Sequence, residues 1–173
     1  TIQLGIGGIP DAVAAAFMNK KDLGVHTEMI TNAIADLVEA GVITGKKKSL
    51  HKGKIVGAFA WGDEKLYRMM HNNPSVMIMP GSYVNDPFVV AQNDNMVSIN
   101  TALCVDLTGQ VCSESIGTVQ YSGSGGQNDT AEGAIHAKNG RSIIALKSTA
   151  KNGEVSTISA VLPLGSVVTL SRN

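Results

Sequence analysis

No apolar run in this 173-residue chain approaches the roughly 20 residues a helix needs to cross a bilayer, and no basic-then-apolar leader opens it. A membrane span or membrane partner is therefore not expected. Cysteine is scarce. Cys104 and Cys112 stand eight apart, outside any CxxC or His-rich setting. That excludes a metal framework and a disulfide-dense scaffold, and predicts reduced, intracellular thiols and a cytoplasmic location. Net charge is missing too: 14 Lys and Arg balance 14 Asp and Glu, so no overall field would draw in nucleic acid. The one dense basic tract is Lys46-Lys47-Lys48, with Lys52 and Lys54 nearby. It is short and interrupted by Gly and Ser, so a solvated turn is its first reading and a phosphate-bearing ligand its second. The histidines (His26, His51, His71 and His136) are scattered, with no pair at ligand spacing. Each is expected at the surface or internally satisfied, and no metal site is expected.

What is present describes an ordinary globular domain, 43% hydrophobic and 16% charged, long enough to bury a substantial core. Short apolar runs alternate with helical periodicity. Strands are predicted near Thr1–Gly5, Gly24–Thr27, Ile55–Ala60, Val76–Met79, Met96–Leu107, Ser142–Leu146, Val155–Val161 and Ser166–Leu170. Between them, Pro10 marks the first turn of an alanine-rich helix, and Ile34, Leu37 and Val38 line one face of a second that ends near Gly41. Asp63, Asp86 and Asn128 or Asp129 are candidate N-caps of three more. This alternation predicts one compact α/β domain with a largely parallel sheet flanked by helices.

Glu28 is the most informative residue. It closes an apolar strand, and a buried carboxylate must be solvated, paired or reactive. Capping the following turn and doing chemistry stand level as readings. The Gly5-Ile6-Gly7-Gly8 turn lacks full GxGxxG spacing, so a plain tight β-to-α turn is favoured over a dinucleotide fingerprint. It still places a helix N-terminus at the sheet edge where open α/β sheets bind ligands. A second loop, Tyr121-Ser-Gly-Ser-Gly-Gly-Gln-Asn-Asp129, offers bare amides that could converge on an anion, or could simply be flexible. Glu114 is the rival carboxylate, expected to be exposed. Ser122 and Ser124 lack the GxSxG elbow, so a serine hydrolase is not expected.

Taken in order, LGIGGIPDAV, GVHTEM, LVEAGVI with KKK, NNP, VNDP, INTALCVDLTGQVCSESIGT and YSGSGGQ resemble the acetyl-CoA hydrolase/transferase family. The likeness is greatest to its 4-hydroxybutyrate and butyryl-CoA:acetate CoA-transferase branch, and it covers the whole chain. It implies a CoA-transferase fold, sugar-phosphate-isomerase-like, with residues 1–173 as the C-terminal, catalytic-glutamate domain. A related N-terminal domain would precede residue 1, and further sequence, including another carboxylate, would follow Asn173. It implies a class I CoA-transferase in which Glu28 attacks an acyl-CoA thioester and becomes first an acyl anhydride, then a glutamyl-CoA thioester. A second carboxylic acid reverses the steps and leaves with CoA. Gly125 and Gly126 would stabilise the oxyanion, and Asn85 would lie near the reacting carbonyl. Gly123, Gly125, Gly126 and Lys151 would contact coenzyme A, which is substrate and not prosthetic group. The expected partners are acyl-CoA, a short carboxylic acid, the N-terminal domain and further copies of the same enzyme.

Departures from the family pattern are Thr31-Asn32-Ala33 where Ser-Asp-Gly is common, Cys104 where Glu is common, Asn128-Asp129-Thr130 after GGQ, and Lys147 where Pro is common. They leave Glu28 untouched and bear on acyl and acceptor specificity. An acyl-CoA hydrolase using water as acceptor, and a fragment inactive without its N-terminal half, remain alternatives. A sugar-phosphate isomerase activity follows from fold analogy alone.

Overall fold

The structure is a computed structural model and describes residues 1–172. The chain opens with β1 (Ile2–Leu4), α1 (Gly8–Ala16), β2 (Val25–Ile30), α2 (Asn32–Glu39), β3 (Ile55–Ala60), α3 (Glu64–Met70) and β4 (Val76–Ile78). Two single-turn helices follow, α4 (Gly81–Val84) and α5 (Pro87–Val90), and then β5 (Val97–Thr101). Short strands β6 (Cys104–Asp106), β7 (Val111–Cys112), β8 (Ser115–Ile116) and β9 (Val119–Gln120) lead to α6 (Gln127–His136) and β10 (Arg141–Ala145). The last strands are β11 (Thr149–Ala150), β12 (Val155–Ser156) and β13 (Ile158–Ser159).

Six strands form the main sheet in the order β10-β5-β1-β2-β3-β4, every neighbouring pair parallel. The α/β class expected from the alternation of elements is therefore the one observed. After β1 the chain steps outward through β2, β3 and β4, then returns to lay β5 on the other side of β1. The strand order reverses at β1, which opens a crevice at the C-terminal ends of β1, β2 and β5.

One apolar core packs Ile2, Leu4, Val25, Ile30, Ile55 and Ile99 of the sheet against Ala14 of α1, Ile34 and Leu37 of α2, and Leu66 of α3. A second, smaller cluster joins Val90 of α5 and Ala134 of α6 to Met96, just before β5, and Ala137, just after α6. No helix among the described residues is long and apolar enough to cross a membrane.

Local chemistry explains the boundaries. Asp63 caps α3 by accepting from the Lys65 and Leu66 amides, and Asp86 caps α5 with Pro87 in its first turn. Pro10 falls in the third position of α1, within its first turn as expected, where there are no amide bonds to lose. Other sequence expectations change. The N-cap of α6 is Gly126, not Asn128 or Asp129, and it has no side-chain bond. The long strand expected over Met96–Leu107 breaks after Thr101. Its first half joins the main sheet, and β6 pairs with β7 and β13 in a separate small sheet. Similarly, Val155–Val161 becomes two short strands, and Ser166–Leu170 contributes only a bridge from Leu170 to Val111. These runs are apolar but peripheral. Asp106 organises their turn, accepting from Thr108, Gln110 and the Leu162 amide. Those donors hold its carboxyl well below the usual range.

Candidate active site

The sequence expectation that Glu28 terminates its strand is corrected: β2 continues through Met29 and Ile30. What ends there is the neighbour. β1 stops at Leu4, whose carbonyl accepts from Thr27 Oγ1 at 3.3 Å. Glu28, one residue further on, has lost its β1 flank. On the β3 side the register runs Thr27–Gly57 and then Met29–Phe59, with no partner for Glu28. The register is the same before and after Glu28, so the strand keeps its phase and only the pairing lapses there. This half-buried carboxylate lines the crevice.

The loop 121–126 crosses to meet it, 98 residues away in sequence. The Gly126 amide donates to Glu28 Oε2 at 3.1 Å. Gly126 caps the ten-residue α6, so the carboxylate sits at the positive end of a helix, an arrangement worth about 0.3–1 kcal/mol. A side chain at Gly126 would push on both of its neighbours. A Cβ there would lie 2.5 Å from Asn85 Nδ2 and 2.8 Å from Glu28 Oε2. Gly125 holds φ +55, the left-handed region that suits glycine. Asn85 thus reaches the same point from the α4–α5 junction. That junction is tied down by the buried His26, whose Nε2 bonds the Val84 carbonyl at 2.8 Å, and by His51 Nε2 with Tyr83 Oη at 2.6 Å. Burial first, and Lys48 and His51 secondarily, hold the His26 pKa down at about 4 against the Val84 carbonyl, which pulls it up. Asp129, in the first turn of α6, has its carboxyl raised by burial and then by the charges of Glu132, Glu28 and Asp86.

The Glu28 cleft has a volume of about 300 Å³ and is walled by Leu4–Ile6, Phe59, Thr101 and Ser124–Gln127, with Gln3 and Asn100 among its lining. Gln3, Ser98, Asn100 and Thr130 form a buried hydrogen-bonded cluster. Larger hollows exist. Those of about 570 and 730 Å³ lie against α1–α3, over the Lys65 ion pairs with Asp36 and Glu39, and hold no comparable convergence of donors on a carboxylate. A third, of about 840 Å³, adjoins the Glu28 cleft along the chain. Gly5, Ile6 and Thr101 line one, and Gly8, Ile9, Ala102 and Leu103 line the other.

The structure thus brings together Glu28, Asn85, Gly125 and Gly126. Gly123 lies exposed in the same loop, outside the cleft walls. Lys151 stands exposed at the tip of the β11–β12 hairpin, beside the 840 Å³ hollow that Lys147, Thr149 and Ala150 help to line. Glu114 is half-buried rather than exposed, and its carbonyl accepts from the Tyr121 and Ser122 amides. Ser122 Oγ bonds the Ser113 and Gly123 carbonyls. The lysine tract is not uniformly solvated. Lys48 is 4% exposed and donates to the Val25 and Lys54 carbonyls at 2.8 and 3.0 Å, clamping the starts of β2 and β3. Cys104 and Cys112 face each other across β6 and β7, both free. No cluster of three metal-ligating side chains occurs among the described residues. Gln127, Gln3 and Asn100 escaped the sequence reading. The signal for Gln127 was its place directly after the glycine pair, and for the other two a polar residue inside an apolar strand.

Residues 62–173 match the family described as acetyl-CoA hydrolase/transferase C-terminal domain. Over all 173 residues the chain is 56% identical to the 4-hydroxybutyrate coenzyme A transferase of Clostridium kluyveri, covering 40% of that protein. It is 51% identical to a probable butyrate:acetyl-CoA coenzyme A-transferase of Syntrophomonas wolfei, over 99% of this chain and 39% of that one. The crystal structure of RipA from Yersinia pestis superposes with a TM-score of 0.92 at 43% identity, over 99% of this chain and 38% of its own. The chain therefore spans about two-fifths of the length of these relatives.

Proposed function

Because this chain belongs to the acetyl-CoA hydrolase/transferase family, we propose that it is the catalytic-glutamate domain of a CoA-transferase, active together with sequence beyond these 173 residues. The substrates are a short-chain acyl-CoA, of the 4-hydroxybutyryl or butyryl class, and a carboxylate such as acetate. The relatives named for those activities support that class. The observation that carries the mechanism is the Glu28 carboxylate held on the Gly126 amide at a helix N-terminus, with the Asn85 amide alongside.

A Glu28 oxygen attacks the thioester carbonyl, the C–S bond breaks, and an acyl-glutamyl anhydride forms as CoA thiolate leaves. The thiolate then attacks the Glu28 carboxyl carbon, Cδ, and the acyl group departs as a carboxylate, leaving glutamyl-CoA. Only a carboxylate side chain can pass through both states. The Gly126 N–H, already on Oε2, suits the role of holding that same oxygen when the carboxyl carbon Cδ becomes tetrahedral. Asn85 supplies a second donor, and Gly125 lends the turn its shape. The 840 Å³ hollow next to the cleft would take the body of coenzyme A, with Lys151 near its phosphates. A second carboxylate reverses both steps.

The test is to incubate the full-length protein with acyl-CoA, trap with borohydride or hydroxylamine, and map the modified peptide by mass. Modification at Glu28, lost in Glu28→Gln with a rate drop of at least about a thousandfold, is expected. A modified peptide elsewhere, or none, sinks the mechanism. Thiol release that is independent of acetate would point instead to hydrolysis.

A further inference from the structure

Beside Glu28, two buried polar atoms have no hydrogen-bond partner among the described residues: Gln127 Nε2 and Asn85 Oδ1. Gln127 is the first residue of α6, next to Gly126, and lines the Glu28 cleft. Its main-chain carbonyl is engaged by Thr130 Oγ1 at 3.3 Å, but its side-chain amide is not. Buried amide donors are almost always bonded, and leaving one open is destabilising. A glutamine kept in this position fits a ligand that brings its own acceptor oxygen.

The surroundings select the kind of oxygen. The Gly126 N–H is taken by Glu28 Oε2, and the Gln127 amide joins the Asn85 Nδ2 donor at the positive end of α6. An acyl-CoA offers a neutral thioester carbonyl. The acceptor acid offers a full negative charge over two oxygens, and hydrogen bonds to charged groups are the stronger ones. The geometry points to Gln127 as the residue that holds the spare oxygen of the substrate carboxylate. This assignment rests on the glutamyl-CoA reading of Glu28. One carboxylate oxygen forms the bond to Glu28 Cδ, the C–S bond at that carbon breaks and thiolate leaves. The other oxygen becomes the carbonyl of the anhydride and stays on the Gln127 amide, with no proton transferred. Water has no second oxygen to hold. Gln127 therefore favours transfer over hydrolysis at the shared glutamyl-CoA stage.

In the full-length protein, Glu28 is loaded from butyryl-CoA and then discharged with increasing acetate, in wild type, Gln127→Met and Gln127→Glu. Methionine keeps length and helix propensity without the donor, and glutamate opposes a carboxylate. The half-saturating acetate concentration rises about 10- to 100-fold in both variants. Loading expels butyrate through the same kind of anhydride, so it slows in step with acetate discharge, whereas discharge of loaded enzyme by water alone stays within about threefold. The proposal is overturned if half-saturation by acetate does not move, or if discharge by water weakens as much as discharge by acetate, since that is the signature of a packing role. Should wild type fail to carry CoA on Glu28, the underlying reading fails and this assignment goes with it.

Discussion

Gly126→Ala separates space from backbone freedom at the proposed catalytic contact. The added Cβ would stand 2.5 Å from Asn85 Nδ2, 2.8 Å from Asn85 Cγ and 2.8 Å from Glu28 Oε2. The backbone there, at φ −93 and ψ 11, is open to alanine, so the whole penalty is steric and falls on two functional groups. Overpacking of this kind costs about 1–3 kcal/mol. At about 2–4 °C per kcal/mol for a domain of this size, Tm falls by roughly 2–12 °C. Relieving the clash moves Glu28 off the 3.1 Å bond, and loss of one oxyanion donor is worth about a hundred- to a thousandfold in kcat. Gly125→Ala is the comparison. Its Cβ would meet nothing within 4 Å, but φ is +55, so it loses about 1 kcal/mol to left-handed strain and leaves Glu28 in place. Calorimetry and single-turnover CoA transfer on the full-length protein read both variants. A Gly126→Ala variant with wild-type Tm and rate, or a Gly125→Ala variant with the greater loss of rate, would refute the reasoning.

Burial lowers the Lys48 pKa to about 8, below its ordinary value in the unfolded chain. The unfolded chain then binds more protons between pH 8 and about 10.4, so stability rises with pH across that window. Thermal melts should show the rise in wild type and lose it in Lys48→Met. Likewise, His26 stays neutral down to a pKa of about 4. Its contribution is complete above about pH 6.5 and declines as pH falls towards 4. His26→Gln should flatten the melting curve between those limits, most cleanly in the upper half, where carboxylates do not yet titrate. Asp63→Ala removes the α3 cap on the Lys65 and Leu66 amides, at a cost of about 1 kcal/mol. Urea midpoints should fall accordingly, with no change in Glu28 labelling.

The parallel sheet was legible because each core strand is a short apolar run with a helix behind it, and those periods are local. Asp63 and Asp86 were legible as caps for the same reason, since cap and amide are two or three residues apart. Apolar runs in the 96–107 and 155–170 stretches misled for a non-local reason. Whether such a run becomes one strand or several depends on which edge is free to pair, and β5 was already committed between β1 and β10. Lys48 looked solvated because a charge run usually is. Its burial follows from two strand-start carbonyls that the sequence could not place beside it.

The residues alone determined the α/β class, the singling out of Glu28 as a candidate and the small, amide-rich character of the 121–129 loop, since these depend on side-chain chemistry and on neighbours a few positions away. Tertiary structure decided that Glu28 faces the Gly126 amide and Asn85, that His26 anchors the segment bearing Asn85, and that Gln127, with its buried amide unpaired, lines the same cleft. Those relations span 98, 58 and 99 positions of chain. They exist because the strand order reverses at β1, and a short β1 leaves its neighbour's carboxylate without a flank.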